Sequence, residues 1–300
     1  MGANSKIEWC DHTMNPWIGC TKVSVGPQGA CENCYAEVST PVRAMHIGWG
    51  AGKPRHRTSP GTWKLPLKYE RNAYAFNAVH GRRQRVFCAS LADVFDNEVD
   101  PRWRVDLFEL IRATPSLDWL LLTKRIGNAK AMLPADWGAG YPNVRLGATI
   151  ANQPEADRDI HKLLATRASG HFLSCEPLLG EIDLDCIELP REYNITINCA
   201  GRFSALTKDH EDRYYSAPAS LDWVIVGGES GPSARPFVIG HGKAIVRQCQ
   251  GAGVPVFVKQ LGARPVNREG ERCPHITHRK GADISEWPVE LRVQQFPRLA

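Results

Sequence analysis

The sequence predicts an α/β protein folded as a parallel (β/α) barrel, complete or partial, and three observations carry that expectation. Apolar, β-branched-rich runs of four to seven residues recur along the chain, each closed by polar or Gly-rich residues, as buried parallel strands are. Amphipathic stretches of helical period separate them. Strand after strand ends in hydrogen-bonding or charged side chains, which in such architectures gather on one rim.

The strands expected are, in order, one near Ile7-Glu8-Trp9, then Arg85–Ala89, Trp119–Thr123, Val144–Thr149, His171–Ser174, Trp223–Val226 and Val254–Val258. Between them Arg102 to Ala113 sets Trp103, Leu107, Leu110 and Ile111 on one face, and Ala156 to Thr166 does the same with Ile160, Leu163 and Leu164. The right-handed crossover rule leaves a barrel or a doubly wound open sheet, and the barrel is preferred, as one domain over 1–300. A long polar stretch at 185–220 breaks the alternation and reads as an insertion covering part of the barrel mouth.

Length and composition agree with a globular enzyme-sized domain. The chain has 300 residues, 43% hydrophobic and 23% charged, which excludes disorder and fibrous repeats. Apolar runs such as Trp119–Leu122 are four residues long. A membrane helix needs about 20, so no membrane span is expected. The N-terminus lacks an apolar signal core, which makes a cytoplasmic, reducing location the expectation. Ten cysteines there are buried hydrophobes, metal ligands or catalytic groups rather than a disulfide framework.

Charge is unevenly placed. The segment 41–85 has ten basic residues against the single acid Glu70, within a chain whose net charge is +5. Trp49, Trp63, Tyr69, Tyr74 and Phe76 are interleaved with them, a composition suited to DNA or RNA and equally to a solvated basic loop and helix.

The cysteines at 20, 31 and 34 follow the expected first strand. Cys31 and Cys34 form a C-x2-C pair, and a ten-residue spacer separates them from Cys20. Such a pair with a third cysteine at loop distance makes a three-thiolate site, for a [4Fe-4S] cluster with one iron open or for zinc with a fourth ligand such as Cys10 or His12. Unrelated buried cysteines are the remaining alternative. Cys273, His275 and His278 make a second, weaker zinc pattern, and Gly227–Gly231 looks like a phosphate-binding turn without matching a P-loop or dinucleotide fingerprint.

A set of motifs spans most of the chain: Asn15-Pro16-Trp17 with Gly19-Cys20, Cys31-x-x-Cys34-Tyr35, Ser90-x-x-Asp93-x-Phe95, Leu122-Thr123-Lys124-Arg125, Leu173-Ser174-x-Glu176-Pro177-Leu178-Leu179-Gly180, Val226 to Gly231, and Phe257-x-Lys259-Gln260. In these the chain resembles an uncharacterised, phage-associated protein family with a three-cysteine motif and radical-SAM-like organisation. The usual radical SAM spacing is C-x3-C-x2-C, whereas the first gap here is ten residues.

The resemblance implies that Cys20, Cys31 and Cys34 hold a [4Fe-4S] cluster that works with S-adenosylmethionine, and the basic segment 41–85 makes a nucleic acid or nucleotide the expected substrate. It also implies an external electron donor and a separate three-cysteine-motif partner protein. Position on the rim nominates Ser90 and Asp93 for the amino group of the cofactor. Thr149, Asn152 and Arg158 are nominated for its carboxylate, and Gly227, Gly228 and Glu229 for its adenosine. Glu176 and Lys259 are left as catalytic groups facing substrate, or as a buried ion pair. Two rivals remain: a zinc-containing transglycosylase-like enzyme with Asp93 or Glu176 as nucleophile, and a non-catalytic, metal-stabilised nucleic-acid-binding phage accessory protein.

Overall fold

The computed structural model describes residues 5–189, 201–207 and 219–297. β1 (His12–Met14) opens the main sheet, and β2 (Trp17–Ile18) pairs antiparallel with β3 (His56–Arg57) across the loop that carries the cysteines and α1 (Thr40–Ala44). Helices α2 (Pro60–Arg71) and α3 (Ala73–His80) lead into β4 (Gln84–Cys88). Regular alternation follows through α4 (Pro101–Arg112), β5 (Leu117–Thr123), α5 (Ile126–Met132), β6 (Val144–Thr149), α6 (Gln153–Ala165) and β7 (Gly170–Cys175). After the small ladder of β8 (Ile187–Glu188) and β9 (Arg202–Phe203) come β10 (Trp223–Gly227), β11 (Phe237–Val238), α7 (Ile239–Gly251), β12 (Val256–Gln260) and β13 (Pro265–Val266).

Seven parallel strands make the sheet in the order β1-β4-β5-β6-β7-β10-β12, and the two edge strands do not pair. The expected parallel barrel is therefore partial. Helix boundaries have local causes. Asp100 caps α4 by accepting from the Arg102 amide at 2.9 Å, and Pro101 supplies a pre-set first turn. Asn152 caps α6 in the same way through the Glu155 amide at 3.0 Å.

One expectation is corrected. Ile7-Glu8-Trp9 is a turn, and the first strand begins at His12, where Asp11 grips Arg82 and the Arg85 amide and so fixes β1 beside β4. Trp9 instead drops into the hollow of the sheet. The insertion 185–220 lies largely outside the described residues. Its described parts include the β8–β9 ladder, which rests on α6 through the Glu188 amide to Asp157.

Strand alternation sorts the side chains into two faces. Val86, Cys88, Trp119, Leu121, Leu146, Leu173 and Val224 point outward to the helices and form the main core. The concave face holds Phe87, Leu120, Phe172, Trp223, Ile225 and Phe257, joined by Trp9. Gly147 faces the Phe172 ring, and a Cβ there would lie 2.4 Å from it, so only glycine admits this ring. Towards the strand N-termini the same face carries Arg85, Asp118 and Arg145, all buried. Burial pushes the Asp118 carboxyl upward despite the nearby Arg145 and Arg85, and it pushes Arg85 down to about 10. The Arg85 guanidinium lies 4.0 Å from the centre of the Phe296 ring. The hollow is thus filled at its base and middle by these side chains, and a cavity opens beyond the strand C-termini.

Candidate functional site

At that end lies a cavity of about 510 Å³. Its floor is Trp9 and Phe87, and one wall is the loop that follows β2 and bears Cys20, Cys31 and Cys34; all three line it. Strand ends supply the opposite wall with Ser90, Asp93, Thr123, Lys124, Arg125, Thr149, Ser174, Glu176, Gly228, Glu229 and Lys259.

The loop begins where Asn15, wholly buried, ties β1 to the turn after β4. Its Oδ1 accepts from the Leu91 amide at 2.7 Å, and its Nδ2 donates to Ser90 Oγ at 2.9 Å. Ala89 in that turn is held at φ 64° and donates to the Met14 carbonyl at 2.9 Å. A non-glycine residue in this region is strained by about 1 kcal/mol, and such strain gathers at sites.

Further on, the loop is clamped from three sides. Arg235 Nη1 donates to the carbonyls of Gly26, Pro27 and Gly29 at 3.3, 3.1 and 2.8 Å, while its other nitrogens pair with Glu229. Asn33 reaches Glu229 at 3.1 Å and the Ser233 carbonyl at 2.8 Å. From α6, Asn152 Nδ2 donates to the Gln28 carbonyl at 2.8 Å, and Ser24 donates to Glu155. Arg125 donates to Cys20 Sγ at 3.3 Å and to the Thr21 carbonyl, and pairs with Asp93 at 3.2 Å.

The rim residues nominated from sequence therefore divide. Ser90, Thr149, Gly228, Glu176 and Lys259 line the cavity as expected. Asp93 and Glu229 also line it, but their oxygens are engaged. Asp93 accepts from Thr123 Oγ1 at 2.7 Å, the Phe95 and Lys124 amides at 2.9 Å, and Arg125. Asn152 is a helix cap that fastens the cysteine loop. Arg158 turns to Asp159 on the surface of α6, away from the cavity. Gly227 lies behind Glu176, where a Cβ would sit 3.0 Å from Oε1.

Glu176 and Lys259 form an ion pair of 3.0 Å, with Ser174 Oγ donating to the second carboxylate oxygen at 3.2 Å. Burial disfavours the Lys259 ammonium, but the Glu176 carboxylate outweighs it and the pKa is raised. Lys124 Nζ donates to Thr149 Oγ1 at 3.3 Å. Sequence reasoning placed Lys124 and Arg125 on the rim without giving them a role, and missed Arg235 altogether. No local pattern marks a residue whose partners lie more than 200 positions away.

The donor set suits a metal centre by chemistry and position: three soft thiols on one braced loop facing one cavity. As placed they are not gathered, since among the described residues no three Cys, His, Asp or Glu side chains are close enough to hold a metal ion. Cys20 donates to the Thr21 carbonyl at 3.4 Å, and burial pushes its thiol up to about 11 although Arg125 opposes this. Ligation requires Cys20 to leave that carbonyl and turn inward. The weaker zinc pattern of Cys273, His275 and His278 does not assemble among the described residues either, and His278 Nδ1 accepts from the Lys280 and Ala282 amides at 3.2 and 3.0 Å.

Much of segment 41–85 is engaged internally. Arg55 pairs with Asp96, Arg57 with Asp106, Arg82 with Asp11, and Tyr69 stacks on His12 at 3.8 Å. Arg43, Lys53, Lys64, Lys68 and Arg71 remain exposed, as does Tyr74.

Arg235 makes a direct test of the clamp. Arg235→Met is expected to lower unfolding free energy by about 2–3 kcal/mol, because it leaves Glu229 buried without its partner. It should also accelerate proteolysis within 22–33. Unchanged cleavage in that loop would show that Arg235 does not hold it.

A family model described as a protein of unknown function, DUF5131, matches residues 4–287. No curated protein and no solved structure matches the chain. No helix among the described residues is long and apolar enough to cross a membrane.

Proposed function

The chain belongs to the DUF5131 family, and from its cavity we propose that it is a radical-SAM-like iron-sulfur enzyme acting on a nucleic acid or nucleotide. The carrying observation is that Cys20, Cys31 and Cys34, on one clamped loop, all line a cavity at the C-terminal edge of a parallel partial barrel. Those thiolates would hold a [4Fe-4S] cluster with one iron left to S-adenosylmethionine. When bound, the cluster supplies the electron, drawn from an external reductant, that cleaves the cofactor's sulfonium.

The chain's own groups bind, orient and exclude. Lys124, beside Thr149, is the cation we assign to the cofactor carboxylate in place of Arg158, which pairs with Asp159 and does not line the cavity. Ser90 offers a hydroxyl near the amino group. Gly228 lets the backbone approach the adenosine. Lys259 stays protonated against Glu176 and presents its remaining ammonium hydrogens to substrate. The Trp9 and Phe87 floor keeps water from below. Asp93 has four donors already, which disfavours it as the nucleophile of a zinc transglycosylase.

Protein reconstituted anaerobically and supplied with dithionite and S-adenosylmethionine should yield methionine and 5′-deoxyadenosine, detected by mass spectrometry. Lys124→Ala should weaken cofactor binding about tenfold, the loss of one charge-assisted hydrogen bond. Intact cluster-loaded protein that forms no 5′-deoxyadenosine would refute the reading.

A further inference from the structure

We propose that a basic recess beside the main cavity binds a phosphate group of a nucleotide or nucleic-acid substrate. The recess, of about 610 Å³, is bounded by the turn after β10 and by loop 272–280, and it shares Ser230 and Lys280 with the main cavity. Its lining contains Arg272, His278, Arg279 and Lys280 and no acid. Of the carboxylates that adjoin it, Glu286 accepts from Thr277 Oγ1 and from the amides of Thr277 and His278, Glu229 is held by Arg235, and Glu271 accepts from Asn267 Nδ2.

The cations are available. Among the described residues Arg279 and Lys280 form no ion pair, and Arg272 gives one hydrogen bond, to the Ala263 carbonyl at 3.1 Å. Facing them, the amides of Ser230 and Gly231 donate to no group among the described residues, and Gly231 takes φ 107°. Successive free amides in such a turn make an anion-binding concavity. Ser230 and Gly231 end the glycine-rich turn that sequence analysis singled out, beyond the Gly228 and Glu229 that serve the main cavity.

The frame around the recess is stiff. A Cβ on Gly228 would lie 2.5 Å from the Leu261 carbonyl oxygen, and one on Gly281 would lie 2.6 Å from that of Gly262. Three segments therefore meet backbone to backbone, which fixes loop 272–280 against the turn after β10. A phosphate held there places the attached sugar and base towards Lys280 and into the main cavity. That orientation rests on the proposed function above, whereas phosphate binding itself does not.

The test uses the full chain without metal, with a short fluorescein-labelled single-stranded DNA as probe and adenosine 5′-monophosphate as competitor. Arg279→Ala/Lys280→Ala should weaken DNA binding at least about tenfold. It should also reduce the slope of log K against log salt by about 1.4, at ~0.7 per phosphate contact. Lys64→Ala/Lys68→Ala on α2 should change affinity less than about twofold. Competition by the monophosphate that depends on Arg279 and Lys280 identifies a nucleotide ligand, and its absence a polynucleotide; both uphold the phosphate site. Equal binding by the Arg279/Lys280 variant and the parent chain, or no binding of either probe by the parent chain, overturns it. Formation of 5′-deoxyadenosine is scored separately, so either proposal can fail alone.

Discussion

Cys31→Ala is expected to reduce bound iron from about four atoms per chain to a few tenths, with loss of the broad visible absorption of the cluster. Cys31 is the buried thiol of the set and donates its amide to the Ser24 carbonyl at 2.7 Å, so the backbone beneath it is fixed. Two remaining thiolates cannot close a site built for three. Cys34→Ala and Cys20→Ala should behave alike. Cys88→Ala serves as the control, because Cys88 lies in the apolar outer face of β4, where a thiol is a small hydrophobe. Iron and sulfide assays on anaerobically purified variants decide the matter. Iron retained by Cys31→Ala, or lost equally from Cys88→Ala, would place the metal elsewhere.

Asp96→Ala is expected to cost about 3–5 kcal/mol of unfolding free energy, the largest stability effect of any single substitution considered. Asp96 Oδ2 meets Arg55 Nε at 2.7 Å with side-chain exposures of 0% and 1%, so truncation leaves a buried guanidinium with only the part-exposed Glu98 carboxylate, 3.3 Å away, as counter-charge. Arg55 is also a hub. It donates to the Gly50 and Lys53 carbonyls at 3.2 and 2.7 Å and to Thr21 Oγ1 at 2.7 Å, next to Cys20. The loss should therefore extend to the start of the cysteine loop and lower iron loading as well. Denaturant unfolding measures the first effect, and a change under about 1 kcal/mol would show that water reaches the pair. Arg55→Met/Asp96→Leu should recover much of the stability, since the one carboxylate it leaves without Arg55, Glu98, is part-exposed to water, without restoring the tie to Thr21.

The sheet was legible because its strands are buried on both faces and so read as unbroken apolar runs. Those beginning at Val144 and Trp223 are found where expected. The first strand was misplaced because Ile7 and Trp9 carry the apolar signal yet serve the concave face as a plug, while β1 itself, His-Thr-Met, has little of it. At the site, sequence located the rim but not what each rim residue does. Asn152 and Glu229 are polar residues at strand ends, as a cofactor site requires, but Asn152 is spent on the Gln28 carbonyl, 124 positions away, and Glu229 on Arg235, six residues on in a turn whose folding back no periodicity marks. Arg158 was misread because helical period alone does not show that its neighbour Asp159 captures it. The excess charge of 41–85 does not show in sequence which of its cations are spent, since Arg55, Arg57 and Arg82 find carboxylates from distant segments.

The central claim is that Cys20, Cys31 and Cys34 turn into one cavity to hold an iron-sulfur centre. Iron, zinc and acid-labile sulfide measured together on protein purified without oxygen test it most directly. The account predicts about four iron and four sulfide per chain and no stoichiometric zinc. One zinc per chain with neither iron nor sulfide would contradict it.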